Sequence, residues 1–439
     1  MKLVKLAVAA VLALVAGTAY AFHSGGVAEC EGCHSMHNSF EGSPNVTGRT
    51  FAQGTGPYLL KANDQSGACL NCHQAADVAP TSYHISTAGV NPYDGTTPVE
   101  ATPGGDFAWL KKTLTITIRR NTATRDAERY GHNVVAADFG YVVDGVVTTA
   151  PGGTYPSSAL GCHSCHDPHG RYRRFADGTY ATSGLPIFNS GSYNNSADPI
   201  ATVSAVGAYR ILGGIGYQPK SLAGSYAFVT NPMDVVVASG YNRYETTSQT
   251  GIAYGNNVSE WCANCHTDIL QNSYTSGMAG LRHPAGNSAL LKAEIVANYN
   301  AYVSSGIMTN TNPAAAFSTL APFQVNSADR AVLKPYAVTA SSYTTQNMPA
   351  ASTSHSVMCL SCHRAHASAF ESSLRAFYLN EFRTIADASN VAIYDPSTTE
   401  NKINYGLTAA QQQVAYYGRP ATVFGPYARS YCNKCHAKD

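Results

Sequence analysis

Charge is scarce in this 439-residue sequence, at 13% of residues, and neither sign prevails: 28 Lys and Arg stand against 27 Asp and Glu. No basic stripe is present to follow a nucleic-acid backbone, so nucleic-acid binding is set aside. After residue 21 no apolar run approaches the roughly 20 residues that a membrane-spanning helix requires, and no transmembrane segment is expected. The chain also lacks an internal sequence repeat and has few long amphipathic patterns, which leaves little from which to build one conventional core. Finally, no cysteine stands alone: all 12 fall into Cys-x-x-Cys pairs.

Residues 1–21 are basic at Lys2 and Lys5, apolar from Leu6 to Ala16 and small at Ala19 and Ala21. They read as a secretory signal peptide cleaved before Phe22, with 22–439 as one exported unit. In an exported protein so many cysteines would ordinarily imply disulfides. The pattern rejects that reading. The pairs are Cys30/Cys33, Cys69/Cys72, Cys162/Cys165, Cys262/Cys265, Cys359/Cys362 and Cys432/Cys435, and each is followed directly by histidine.

Cys-x-x-Cys-His lets two thiols form thioethers to one haem while the adjacent imidazole reaches its iron. Zinc sites and thioredoxin-like pairs need no histidine after every pair. Six c-type haems are therefore expected, with proximal iron ligands His34, His73, His166, His266, His363 and His436. Their propionates would make the holoprotein much more acidic than the near-neutral chain.

The sixth iron position separates an enzyme from an electron carrier, because an open site binds substrate while two strong axial ligands favour electron passage. Nine further histidines are available, enough for every haem to be bis-histidine. His163, inside its own attachment loop, and His355, in a Ser/Thr-rich stretch read as an exposed loop, are set aside. The distal candidates are His23, His37, His84, His132, His169, His283 and His366, seven for six places. Met36 and Met358 are placed to pack on porphyrin as well as to ligate.

Odd and even motifs differ. The first, third and fifth continue as CHSMH, CHDPH and CHRAH, with a histidine three residues after the proximal one. If those short segments are helical, the two histidines share one side, so His37, His169 and His366 should serve haems other than their own. Should each reach backward, His37 has no earlier haem in its own chain and needs one in another molecule. A head-to-tail contact that does not close into a ring propagates as a filament; reaching forward instead leaves a monomer.

Secondary structure is expected to be sparse: a strand at 114–118, a hairpin turning at Asp144-Gly145, a helix capped at Ser288, and another running from Thr408 to a Gly418 stop. The fold class is a multihaem c-type cytochrome, loop-rich, with few short helices and minor β-hairpins wrapped around six covalently bound haems.

The stretches FHSGGVAECEGCH, CHDPHGRYRRF, GAYRILGG, GYQPKSLAGSYAF, SEWCANCHTDI, LRHPAGN and CNKCHAKD resemble the hexahaem outer-surface cytochromes of metal-reducing bacteria. That resemblance implies secretion to the cell surface and polymerisation into a conductive extracellular filament of bis-histidine haems. One axial ligand would come from the neighbouring subunit, at the position of His37. It also implies electron donors among other multihaem cytochromes, and metal oxides or partner cells as acceptors. The competing readings are a multihaem nitrite- or hydroxylamine-type oxidoreductase and a monomeric periplasmic shuttle.

Overall fold

The computed structural model describes residues 30–37, 56–76, 81–91, 96–118, 121–182, 184–188, 191–194, 196–238, 242–245, 251–270, 283–301, 317, 319–339, 348–376, 385–386, 392–393, 403–404, 407–418 and 430–436. His23 and the leader at 1–21 lie outside them.

Regular structure is short and scattered. The strand at Leu114–Ile118 pairs antiparallel with Asn121–Arg125, and on its other side with Ile403–Asn404. Leu114 and Ile116 are buried, as the alternation in LTITI requires of a strand with one face inward. Arg173–Arg174 lies between Tyr180–Ala181 and Val206–Gly207. The wholly buried pair Val235–Val237 and Ile252–Tyr254 forms another small sheet.

The helix at Ala409–Ala415 is capped as its sequence foretells. Thr408 Oγ1 accepts from the Gln411 amide while Gln411 Oε1 accepts from the Thr408 amide, a reciprocal capping box. Gly418, at φ 79°, ends it.

Two local expectations fail. The segment around Asp144-Gly145 forms no hairpin: the Asp144 carboxylate accepts from the amides of Val146 and Val147 and from Asn133 Nδ2, which closes a local turn. Val142 and Val146 are left more than 70% exposed, without the cross-strand partners that stabilise a ladder. The helix expected from Ser288 begins only at Ala293–Ala301. Leu291 is buried, and its amide bonds the His355 carbonyl at 2.8 Å, so the preceding residues pair with the 355–357 strip instead of coiling.

Apolar residues collect in separate clusters, several of which touch an attachment motif. Leu70, inside the second motif, packs with Phe107, Tyr130, Tyr141, Phe370 and Tyr416. Met358 and Leu360, at the fifth, and Trp261, at the fourth, meet Leu212, Val235, Tyr254 and Val258. A third cluster around Phe317, Phe323 and Leu333 borders Cys435 of the sixth motif. Stability is thus distributed along the row of motifs. Full burial of a side chain such as Leu70 is worth about 1.5–3 kcal/mol at any one of them.

Candidate haem-binding sites

Each motif folds into one tight turn. The histidine amide bonds the carbonyl of the first cysteine in the first, third, fourth, fifth and sixth motifs, at 2.8 to 3.1 Å. The second motif closes the nine-residue helix Gln65–His73, whose Asp64 cap accepts from the Gly67 amide.

The three odd motifs rest on a shared support. His34 Nδ1 meets the carbonyl of Tyr58 at 3.0 Å, His166 Nδ1 that of Arg210 at 2.6 Å and His363 Nδ1 that of Ser372 at 2.7 Å. In each case two consecutive residues are left-handed: Tyr58 and Leu59, Arg210 and Ile211, Ser372 and Ser373. The residue after the histidine then donates to the second of them (Ser35 to Leu59, Asp167 to Ile211, Arg364 to Ser373), at 2.7 or 2.8 Å. Three residues past the first left-handed one, Lys61, Gly213 and Arg375 donate back to Cys33, Cys165 and Cys362. The leucine between (Leu60, Leu212, Leu374) bridges the histidine itself.

This threefold repetition was invisible in the sequence. The support lies 24, 44 and 9 residues beyond its histidine, and only the leucine is common to all three. It also replaces the helical continuation expected after the odd motifs, since His34, His166 and His363 lead into extended and bent backbone.

Even motifs use other loops. His73 Nδ1 meets the Tyr83 carbonyl at 2.7 Å and His266 Nδ1 that of Pro151 at 2.8 Å. Gly153 makes the second of these approaches possible, because a Cβ there would sit 1.9 Å from the Cys265 carbonyl. In all five cases a carbonyl fixes Nδ1 as the protonated nitrogen and leaves the Nε2 lone pair for a metal.

Second histidines face two of these, and a third faces His436. Ring centres are 6.0 Å apart for His132 and His266, 6.5 Å for His166 and His366, and 6.0 Å for His283 and His436. Metal–nitrogen bonds of about 2.0–2.1 Å, with each nitrogen about 1.1 Å from its ring centre, put two imidazoles on one metal at about 6.3 Å. The three pairs fit one iron each. His132 and His283 also place Nδ1 on carbonyls, those of Ala365 and Pro284, at 2.8 and 2.9 Å. The His132 amide bonds the His366 carbonyl at 2.9 Å, so one backbone crossing supplies a histidine toward the third motif and another toward the fourth. Phe107 stacks on His366 at 4.5 Å.

Burial pushes the proton affinity of these rings down, to about 4 for His132 and about 3 for His366. Both are therefore neutral at ordinary pH, as metal ligation demands.

The other candidates are less gathered. His84 is buried against the Tyr83 ring at 4.0 Å. His169 is exposed, its amide held by Asp167 Oδ1, and His37 is exposed beside Ser35. His163 is half-buried near Ser221. His355 corrects the sequence reading: it is buried, stacked on Phe323 at 4.6 Å, with Nδ1 accepting from the Ser352 amide and Nε2 bonded to Tyr336 Oη. Of the methionines, Met358 is buried and Met36 is 77% exposed.

Consecutive motifs neighbour one another in sequence order. Burial raises the Cys33, Cys165 and Cys435 thiols, and Cys72, Cys265 and Cys362 of the adjoining motifs add to the rise. At the second and fourth joints the first cysteines meet: the thiols of Cys69 and Cys162, and of Cys262 and Cys359, share hydrogen bonds. The two first-cysteine joints share one clamp: Ser66 Oγ accepts from the Cys162 amide and Ser259 Oγ from the Cys359 amide, both at 3.0 Å, and each serine stands three residues before its own motif. Among the described residues no group of three or more His, Cys, Asp or Glu is placed to hold a bare metal ion.

A row of Cys-x-x-Cys-His turns, with oriented imidazoles and second histidines one iron-width away, defines a multihaem c-type cytochrome. No family model matches the chain. It is 55% identical over 434 residues to the C-type cytochrome OmcS of Geobacter sulfurreducens, covering 98% of this chain and 97% of that one. Two solved structures from the same organism, the cryo-EM OmcS nanowires and an Outer Membrane Cytochrome S filament, are each 54% identical. They superpose with a TM-score of 0.81 over 95% of this chain and 100% of theirs. The chain belongs to the OmcS family of c-type cytochromes.

Proposed function

We propose that the chain carries respiratory electrons over long distances outside the cell, as a head-to-tail homopolymer with six c-type haems in each subunit. The observation that carries this reading is the row of six motifs neighbouring one another in sequence order, with the second held to the third and the fourth to the fifth, in a chain that superposes on filament-forming relatives over nearly its whole length. Bound haem supplies one-electron chemistry at iron. The twelve motif cysteines hold it covalently, and the Nδ1 contacts keep five of the proximal imidazoles in one tautomer and one orientation. The interlocked motif joints fix the spacing between neighbouring sites, and the buried aromatic clusters keep water away. Electron transfer is fast between groups held close and rigid, and this chain's residues do both. No substrate-turnover role is assigned to it.

By ring geometry, His132 is the second ligand at the fourth site, His366 at the third and His283 at the sixth. His23, His37, His84 and His169 are left for the first, second and fifth. His37, exposed near the start of the described chain, is assigned to a haem of the adjacent subunit. The leader at 1–21 directs export, and 22–439 acts as one unit at the outer surface. Other multihaem cytochromes donate electrons, and Fe(III) or Mn(IV) oxides or partner cells accept them.

The test is electron microscopy of purified wild type beside His37→Ala. Wild type should form filaments, and the variant should stay monomeric with one altered haem spectrum. Filaments with unchanged spectra from His37→Ala would remove the intersubunit ligand.

A further inference from the structure

Arg210 is the first left-handed residue of the turn beneath His166, and its carbonyl is committed to that imidazole. Its guanidinium lies over the rings of Tyr193 and Tyr209, 5.6 and 5.1 Å from their centres. Nη1 reaches Tyr193 Oη at 3.5 Å, while Nε is shut off from solvent and has no acceptor among the described residues. After burial, the largest influences on this charge are Tyr209, which also shares a hydrogen bond with it, Tyr193 and Tyr254. The charge is felt in turn at His73, His166 and His366, the iron-facing imidazoles of the second and third sites.

A guanidinium does not deprotonate, and a charge withdrawn from water needs a counter-charge with good hydrogen bonds. Aromatic faces attract it but cannot accept the Nε proton in a linear hydrogen bond. What is missing is an anion with acceptor oxygens, close to two haem sites.

We propose that Arg210 holds a propionate carboxylate of the haem at the second or third attachment site and thereby raises the reduction potential at that joint. The inference rests on haem occupying these sites as proposed above. With the guanidinium in place the propionate charge is balanced; without it, the carboxylate favours the more positive oxidised iron. The freed carboxyl would also titrate nearer neutral pH.

The test is a spectroelectrochemical titration of the holoprotein at several pH values for wild type, Arg210→Gln and Arg210→Lys. In Arg210→Gln one of the six potentials should fall, with a reduction constant lowered about tenfold, equivalent to about 59 mV for one electron, and should become pH-dependent near neutrality. Arg210→Lys should retain most of the wild-type value, because the charge is kept. Six unchanged potentials with unchanged pH dependence in a fully haem-loaded, low-spin Arg210→Gln protein would overturn the assignment. Should the Gln variant fail to assemble, redox-difference infrared spectra with 13C-labelled propionates decide it on Arg210→Lys: one carboxylate band should shift, and none shifting refutes the contact. A wild type without six low-spin haems would instead refute the function on which this rests.

Discussion

The left-handed turn at Ser372 and Ser373 offers a clean perturbation. Ser372 is exposed, at φ 57° and ψ 27°, and its carbonyl, not its side chain, holds His363. A substitution there therefore acts almost purely through the backbone. A non-glycine residue in this region costs roughly 1–2 kcal/mol, and a β-branched one more. Ser372→Val should weaken the turn by about 1 kcal/mol, the difference between the upper end of that range and what serine already bears. Ser372→Gly should be near neutral, because relief of about 1 kcal/mol is offset by 0.5–1 kcal/mol of added chain entropy in the open state, roughly. The assay is amide hydrogen exchange at Arg364 and Arg375, whose N–H groups donate across this turn at 2.7 and 2.8 Å. A loss of about 1 kcal/mol in local opening should speed their exchange roughly fivefold. The equivalent donors at the other two odd sites, Ser35 and Lys61, Asp167 and Gly213, should not change and serve as internal references. Equal acceleration by Val and Gly, or none by Val, would refute the claim that backbone handedness carries the support.

Three other outcomes follow from the same geometry. His366→Ala should open one iron per chain to carbon monoxide while His163→Ala opens none; silence from both would show that His366 is not a ligand. Ser66→Ala and Ser259→Ala should each cost about 1–2 kcal/mol for a buried amide left without its acceptor, and a large difference between them in thermal unfolding would deny that the two joints share one clamp. Burial lowers His355 from its ordinary value of 6.5 to about 4, so the folded state binds this proton less readily than the unfolded chain. The stability involved is fully present above about pH 6.5 and is lost as pH falls toward 4, by at most about 3 kcal/mol. His355→Phe should flatten that acid limb in denaturant titrations, and an unaltered limb would place the acid sensitivity elsewhere.

The cofactor was legible because attachment chemistry is local: two cysteines and a histidine within five positions carry the whole requirement, six times over. Candidate ligands could be counted too, since only a few histidines were free to meet the demand. His132 and His283, isolated in their segments, were drawn in by that demand and lie at iron-bridging distance from His266 and His436. The supports were not legible. Carbonyls of Tyr58, Arg210 and Ser372 do the same work in turns of unrelated composition, because a main-chain acceptor leaves no signature in side chains. His355 misled for a related reason. Its polar neighbours in ASTSHSVM suggested exposure, yet Ser352 contributes only a backbone amide while Phe323 supplies the face that buries it.

The two serine clamps bear on where the row of motifs is most firmly held. Ser66 ties the second motif to the third and Ser259 the fourth to the fifth, each through a cysteine amide at 3.0 Å. Because each bond joins the backbone of one motif to a side chain just ahead of another, neither motif of a couple can shift along the row without drawing its partner with it. A displacement at one such site is therefore passed on as a movement of the pair.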